Sequence, residues 1–264
     1  MSVQLSPIIA GVMNWGVWDK NLNTKEFTHL INLFIENGIT TFDHADIYGG
    51  YTTEEAFGKA LTESKIDRKK IQLITKCGIQ YTSVKRPENH IKHYEYSKDY
   101  IIWSAENSLK NLQTDYLDVL LLHRPSPLMQ ADEIAEAVSK LKADGKILSF
   151  GVSNFTSSQT ELLRQKTDVS FNQVQFSATH HEAMLDGSFD YMQIHNIKPM
   201  AWNPLGTVFR ENTDQTFRLR QLLAKLVEKY HMGSDIILLA WIMQHPAGIS
   251  PVAGTVNSGR IQQL

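Results

Sequence analysis

Four side chains in this sequence could move a proton to a carbonyl oxygen if they met in one place. Asp43 and Tyr48 lie in TFDHADIYGG, Lys76 in ITKCG and His123 in LLLHRP. A tyrosine hydroxyl titrates near pH ~10, too high for easy proton exchange at neutrality. A neighbouring ammonium stabilises the phenolate and lowers that value, and a carboxylate can hold the ammonium in place. Lys76 beside Tyr48, with Asp43 holding Lys76, would form such a relay. His123 could hydrogen-bond the carbonyl and orient it. Taken singly, Asp43 reads as a turn cap, Tyr48 as a packed aromatic and His123 as a satisfied core histidine. Lys76 is the exception, because a lysine directly after apolar strand residues needs a partner.

What could bring them together is the order of elements. Short apolar runs at 8–13, 39–42, 71–75, 116–122, 147–152, 171–176, 198–202 and 249–253 read as strands. Amphipathic stretches at 24–37, 53–63, 97–112, 131–143, 156–164, 188–195, 215–229 and 235–244 read as helices, and another starts at 258. Gly38 is a stop for the first helix and Thr53 a candidate N-cap for the second. Regular alternation argues for parallel strands joined by helical crossovers. Eight such units in 264 residues fit an α/β fold, a single (β/α)8 TIM barrel of parallel strands over 1–264. Residues just past strand ends then share one mouth, and the insertion at 78–97 lies on that face. The last helix has barely begun when the sequence stops at Leu264, so a truncated C-terminal helix and loop is expected.

With these motifs in order, the sequence resembles the aldo-keto reductases over nearly its whole length. GITTFDHADIYGGYTTEEAFGKAL is similar to the family signature, and the resemblance makes Asp43, Tyr48, Lys76 and His123 its catalytic set. GVSNF resembles a segment whose Ser and Asn, here Ser153 and Asn154, hold a nicotinamide carboxamide, with Gln175 completing that site. AWNPLG is similar to AYSPLG. It implies that Trp202 stacks on the nicotinamide and that the turn of Asn203, Pro204, Leu205 and Gly206 approaches the pyrophosphate. AGTVNSGRI resembles the adenosine-phosphate motif and implies contacts from Gly254, Thr255, Asn257 and Arg260. Many NADP-using relatives have Lys where this chain has Gly254. The resemblance is strongest to a bacterial group with unassigned physiological substrates. It implies an NADP(H)-dependent reduction of an aldehyde or ketone. The rival within it is a cofactor-binding sensor or regulatory subunit with slow turnover.

The remaining features narrow the classes. Lys plus Arg number 26 against 28 Asp plus Glu, a net charge of −2, which gives no electrostatic case for nucleic acid or a membrane surface. No apolar run approaches the ~18 residues that span a bilayer, and the first residues lack a secretory pattern, so a cytoplasmic protein acting on a small carbonyl compound is expected. One cysteine excludes an intramolecular disulfide. No G-x-G-x-x-G joins a strand to a helix, since Gly11 and Gly16 have the wrong spacing, which disfavours a classical dinucleotide fold. Cys77 as a nucleophile, Lys76 as a Schiff-base amine, and metal sites at His180, His181 and Glu182 or at Glu88, His90 and His93 rank lower. Asn14 and Trp15 are candidates for the substrate pocket, with a core residue as the alternative for Trp15; Trp103 and Trp241 read as packing residues, and Lys85 and Arg86 as a solvated loop. Oligomeric state is not legible.

Overall fold

A computed structural model describes residues 3–264. Its chain order is β1 (Ile9–Gly11), α1 (Thr24–Glu36), β2 (Thr41–Asp43), α2 (Thr53–Ser64), β3 (Gln72–Cys77), β4 (Ile79–Gln80), β5 (His93–Tyr94), α3 (Lys98–Leu112), β6 (Leu117–Leu122), α4 (Ala131–Ala143) and β7 (Ile147–Ser153). It continues with α5 (Ser157–Arg164), β8 (Phe171–Gln175), α6 (Ser188–Ile194), β9 (Lys198–Trp202), α7 (Asp214–Tyr230), α8 (Ser234–Met243), β10 (Ser250–Ala253) and α9 (Ser258–Ile261). The sheet closes as β1-β10-β9-β8-β7-β6-β3-β2, with parallel pairing throughout. The expected (β/α)8 barrel is the observed one.

The strands are apolar on both faces because both faces are covered. β6 reads LDVLLL and is buried at every residue. Ile9, Ile74, Val119, Leu121, Phe171, Met200 and Val252 fill the barrel interior. A larger apolar layer, which includes Phe27, Phe34, Phe42, Phe57, Leu120 and Phe150, packs the strands against the helices. Burying each such side chain stabilises the fold by about 1.5–3 kcal/mol before conformational entropy is subtracted. α1 shows how local chemistry agrees with this packing. Asn23 caps the Glu26 N–H, and Glu26 reaches back to the Asn23 N–H at 2.7 Å, while Phe27, Leu30, Ile31 and Phe34 form the buried stripe.

Three expectations change. Thr53 is the first helical residue of α2, not its cap; Thr52 precedes it and makes no side-chain cap bond. The insertion at 78–97 contains an antiparallel pair, with Ile79 opposite Tyr94 and Gln80 opposite His93. It is too short and too polar to show a strand period in sequence. Trp15 is fully buried among Phe27, Phe34, Phe42 and Phe57, so of its two readings the core one holds and the pocket one does not. No helix among the described residues is long and apolar enough to cross a membrane.

Candidate active site

The barrel order divides the mouth into two halves. Asp43, Lys76 and His123 come from the ends of β2, β3 and β6, which are neighbours. Tyr48 comes from the turn after β2. That turn needs glycine at Gly49, whose φ is +61° and where a Cβ would meet the Thr53 and Thr52 hydroxyls at 2.5 and 2.7 Å. Lys76 Nζ lies 2.8 and 2.7 Å from the two Asp43 carboxylate oxygens, 2.8 Å from the His44 carbonyl and 3.1 Å from the Tyr48 hydroxyl. The Lys76 and Asp43 side chains are 1% and 4% exposed, so this is a buried ion pair whose fourth contact is the phenol. The Tyr48 and His123 rings meet edge to face at 6.1 Å.

The electrostatics differ from the expectation at one point. Burial pushes the Tyr48 phenol up, the Lys76 ammonium pulls it down, and burial wins, so the phenol sits above its ordinary value. Lys76 therefore does not bring Tyr48 near neutrality here; it limits the cost of forming a phenolate. Burial also works against the Lys76 ammonium, but Asp43 and Tyr48 outweigh it and the group is held above its ordinary value. A permanently charged, fully engaged amine is a poor Schiff-base nucleophile. Burial, followed by the charges of Lys76, Arg124 and Lys92, holds His123 well below its ordinary value, so it is neutral at pH 7. The set consists of a neutral phenol, a neutral imidazole and one ammonium, which suits donation of a proton to a developing alkoxide. Burial pushes the Cys77 thiol well up, which removes it as a nucleophile.

Ser153, Asn154, Gln175, Trp202 and the residues after β10 lie on consecutive strand ends in the other half. Asn154 adopts φ +62° and accepts a 2.8 Å bond from the Trp202 indole N–H, while its own amide donates to the Ser153 hydroxyl at 2.8 Å. Ser153 is buried and donates to the Gln173 carbonyl at 2.9 Å, so its hydroxyl lies beneath the rim. Gln175 and Trp202 are paired across β8 and β9 and are half-buried. The turn of Asn203, Pro204, Leu205 and Gly206 is held by Arg210, which donates to the Asn203 side-chain oxygen at 2.7 Å and to the Gly206 carbonyl. Gly206 has φ +56°, and a Cβ there would collide with Thr179 and Ser177. Gly254 is exposed, and a Cβ would meet nothing within 4 Å. Thr255 accepts from the Asn257 N–H at 3.2 Å and Asn257 caps the Arg260 N–H at 3.0 Å, leaving the Arg260 side chain exposed and 3.7 Å from Asp235. An indole ring, side-chain amides, a turn carrying a guanidinium and a second exposed guanidinium are groups of the kinds that suit a nicotinamide dinucleotide with a further phosphate.

The structure gives several further residues a place beside the site. Gln173 donates to Asp43 at 2.8 Å across the barrel and joins the two halves; the alternation of Gln173 and Gln175 was the available signal. Trp18, not Trp15, stands over the mouth, edge-on to Tyr48 at 6.1 Å and to Tyr81 at 6.0 Å. Arg86 is half-buried rather than freely solvated. Its guanidinium sits 4.6 Å from the Tyr51 ring and 4.2 Å from the Trp103 ring, so Trp103 packs against a cation as well as against Tyr100. Tyr51 also donates to the Ile79 carbonyl at 3.3 Å and accepts from the Tyr81 N–H at 2.8 Å, which ties the insertion to the Tyr48 turn.

The aldo/keto reductase family model matches residues 7–264. The "Uncharacterized oxidoreductase YcsN" of Bacillus subtilis is 46% identical over 98% of this chain and 87% of its own length. A 6-dehydroglucose reductase of Agrobacterium fabrum is 35% identical over 98% of this chain and 88% of its own. Among solved structures, an aldo/keto reductase of Klebsiella pneumoniae in complex with NADP and acetate superposes with a TM-score of 0.81 at 26% identity, covering 98% of this chain and 84% of that one.

Proposed function

The chain belongs to the aldo/keto reductase family, and from that premise we propose that it reduces an aldehyde or ketone to the alcohol with NADPH, Tyr48 supplying the proton. The nicotinamide, when bound, supplies the hydride that reaches the carbonyl carbon. The chain's own part is to fix the carbonyl oxygen and to protonate it. His123, neutral, donates a hydrogen bond that orients the carbonyl. The Tyr48 hydroxyl gives its proton to the alkoxide oxygen, and Lys76 Nζ, 3.1 Å away, stabilises the phenolate left behind. Asp43 keeps Lys76 on that atom, and Gln173 fixes Asp43. Ser153, Asn154, Gln175 and Trp202 hold the nicotinamide end, 203–206 with Arg210 the pyrophosphate, and Thr255, Asn257 and Arg260 the adenosine phosphate. The K. pneumoniae relative crystallised with NADP supports that choice of cofactor.

The observation that carries this reading is the buried Asp43–Lys76–Tyr48 chain, which costs desolvation and ends on a phenol beside the His123 ring. The test is Tyr48→Phe. A lost general acid lowers turnover by about 10²–10⁴-fold, and tryptophan quenching by NADPH should persist, because Trp202 and the phosphate contacts are untouched. Turnover equal to wild type would remove Tyr48 from the reaction.

A further inference from the structure

Arg124 has no counter-ion. Arg68, Arg164 and Arg260 face carboxylates, and Arg210 and Arg220 are engaged by carbonyls and side-chain amides. The Arg124 guanidinium donates to no acceptor among the described residues; its carbon lies 5.4 Å from the centroid of the Trp202 ring. Its backbone, by contrast, is pinned, since the Arg124 N–H donates to the Tyr96 hydroxyl at 3.1 Å and that hydroxyl donates to the Arg124 carbonyl. A fixed backbone with a half-buried, unspent cation adjoins His123 directly. The charges that reach His123 are those of Lys76, Arg124 and Lys92, all positive, and Asp43 is already consumed by Lys76. The mouth therefore carries uncompensated positive charge beside the proton-donating pair, with Trp18 and Tyr81 as an aromatic wall.

Resting on the reductase reading above, we propose that the physiological substrate is an anionic carbonyl compound, whose carboxylate or phosphate is taken by Arg124 while its carbonyl oxygen meets Tyr48 and His123. A guanidinium parked on an aromatic face is weakly held, and an oxyanion offers it two parallel charge-assisted bonds instead. A neutral substrate bound beside it would leave the half-buried cation unpaired, a cost that selects against such substrates. Lys92 adds to the attraction at longer range.

The test uses matched pairs that differ only in charge: 4-carboxybenzaldehyde against methyl 4-formylbenzoate, and glyceraldehyde 3-phosphate against glyceraldehyde. We would measure kcat/KM with NADPH for wild type, Arg124→Met and Arg124→Lys. In wild type the anionic member of at least one pair should be preferred by about 10-fold or more. In Arg124→Met that ratio should fall towards one through the KM of the anion, and Arg124→Lys should restore part of it. Raising ionic strength from about 0.05 M to about 0.5 M should lower kcat/KM for the anion several-fold and leave the neutral partner flat. The pair that shows the preference distinguishes carboxylate from phosphate. Wild-type ratios near one, a preference for glyceraldehyde, or a ratio that survives Arg124→Met would each overturn the proposal while leaving a working reductase. No NADPH consumption with any of the four compounds would overturn the reductase reading and this inference together.

Discussion

Two ion pairs withdrawn from solvent lie at opposite ends of the barrel, and they are built differently. At the end opposite the mouth, Arg68 donates to Thr114 at 2.8 Å, to the Ile71 and Tyr116 carbonyls at 2.9 and 2.8 Å and to Asp118 at 2.6 Å, and it lies over the Tyr116 ring. Asp118 also accepts from the Leu73 N–H at 2.8 Å. These bonds join the start of β3 to the start of β6, and every one of them closes on a backbone or side-chain group of the fold. At the mouth, Lys76 and Asp43 are more deeply buried, yet their bonding ends on the Tyr48 phenol, a group that can give up its proton. The lesson is that burial of a charge pair does not separate structure from function. What separates them is whether the last hydrogen bond closes on the fold or on a group that can react.

The largest effect should come from breaking both pairs in the same way. Lys76→Met leaves the Asp43 carboxylate buried and unpaired, which costs about 3–5 kcal/mol. It also strips the phenol of its charge partner, so turnover should fall by at least the ~10²–10⁴-fold expected of an acid–base group. Arg68→Met should destabilise by a similar or slightly smaller amount, because its site is more exposed. Activity per folded molecule should stay near wild type, since no atom of that network reaches the mouth. Denaturant melts paired with kcat/KM on the folded fraction separate the two. If Arg68→Met lost turnover as Lys76→Met does, the two pairs would not differ in the way claimed.

A carboxylate buried without a cation sharpens the comparison. Asp46 sits behind the mouth, takes weak bonds from Ser104 at 3.2 Å and Tyr100 at 3.4 Å, and has one oxygen with no partner. Burial, then the nearby Glu54, pushes its carboxyl up to about 8. The sign follows from linkage. Between its ordinary value of 3.8 and about 8 the folded chain keeps the proton that the unfolded chain releases, so folding weakens as pH rises through that window. His44, held at about 3 by burial and then by Lys76, works the other way from about 3 up to its ordinary 6.5. Above pH 6.5 only the Asp46 contribution of these two remains. Asp46→Asn should therefore gain thermal stability relative to wild type between pH 6.5 and 8, by a few degrees in Tm. A Tm difference that does not grow over that interval would mean that Asp46 is ionised in the fold.

These charges also mark where the sequence could be read and where it could not. The barrel was legible because eight apolar runs and intervening amphipathic stretches repeat a physical pattern that parallel packing demands. Lys76 was legible because a lysine inside an apolar run needs a partner, and Asp43 was the partner at hand. The sign of the Tyr48 shift was not legible, since it depends on how much desolvation opposes one ammonium. Trp15 and Trp18 were interchangeable in sequence, because both follow β1 and only the packing of Phe27, Phe34, Phe42 and Phe57 selects which is core. Arg86 read as a surface charge because Tyr51 and Trp103, its two rings, are far from it in the chain. Gln173 was one of two glutamines on one strand, and only barrel closure turns it towards Asp43.

The smallest effect belongs to the most exposed charge. Arg260 is 63% exposed and its partner Asp235 stands at 3.7 Å, a loose pair that solvent screens. If Arg260 takes an adenosine phosphate, Asp235 competes for it, and no lysine occupies position 254 to help. Gly254 has free space around a Cβ and an ordinary backbone angle, so Gly254→Lys adds an ammonium near that phosphate site with no steric cost. Kd for NADPH should fall by about 3- to 10-fold, the gain of one partly screened charge, and Kd for NADH should change little. Tryptophan quenching titrations at two salt concentrations read both values, and the NADPH gain should shrink at high salt. An equal gain for both cofactors would place the new charge at the pyrophosphate instead, and would move Arg260 with it. At the mouth and at the opposite end, removal of one buried charge is expected to threaten the fold; here the addition of one exposed charge should only retune binding, because water already does most of the solvation.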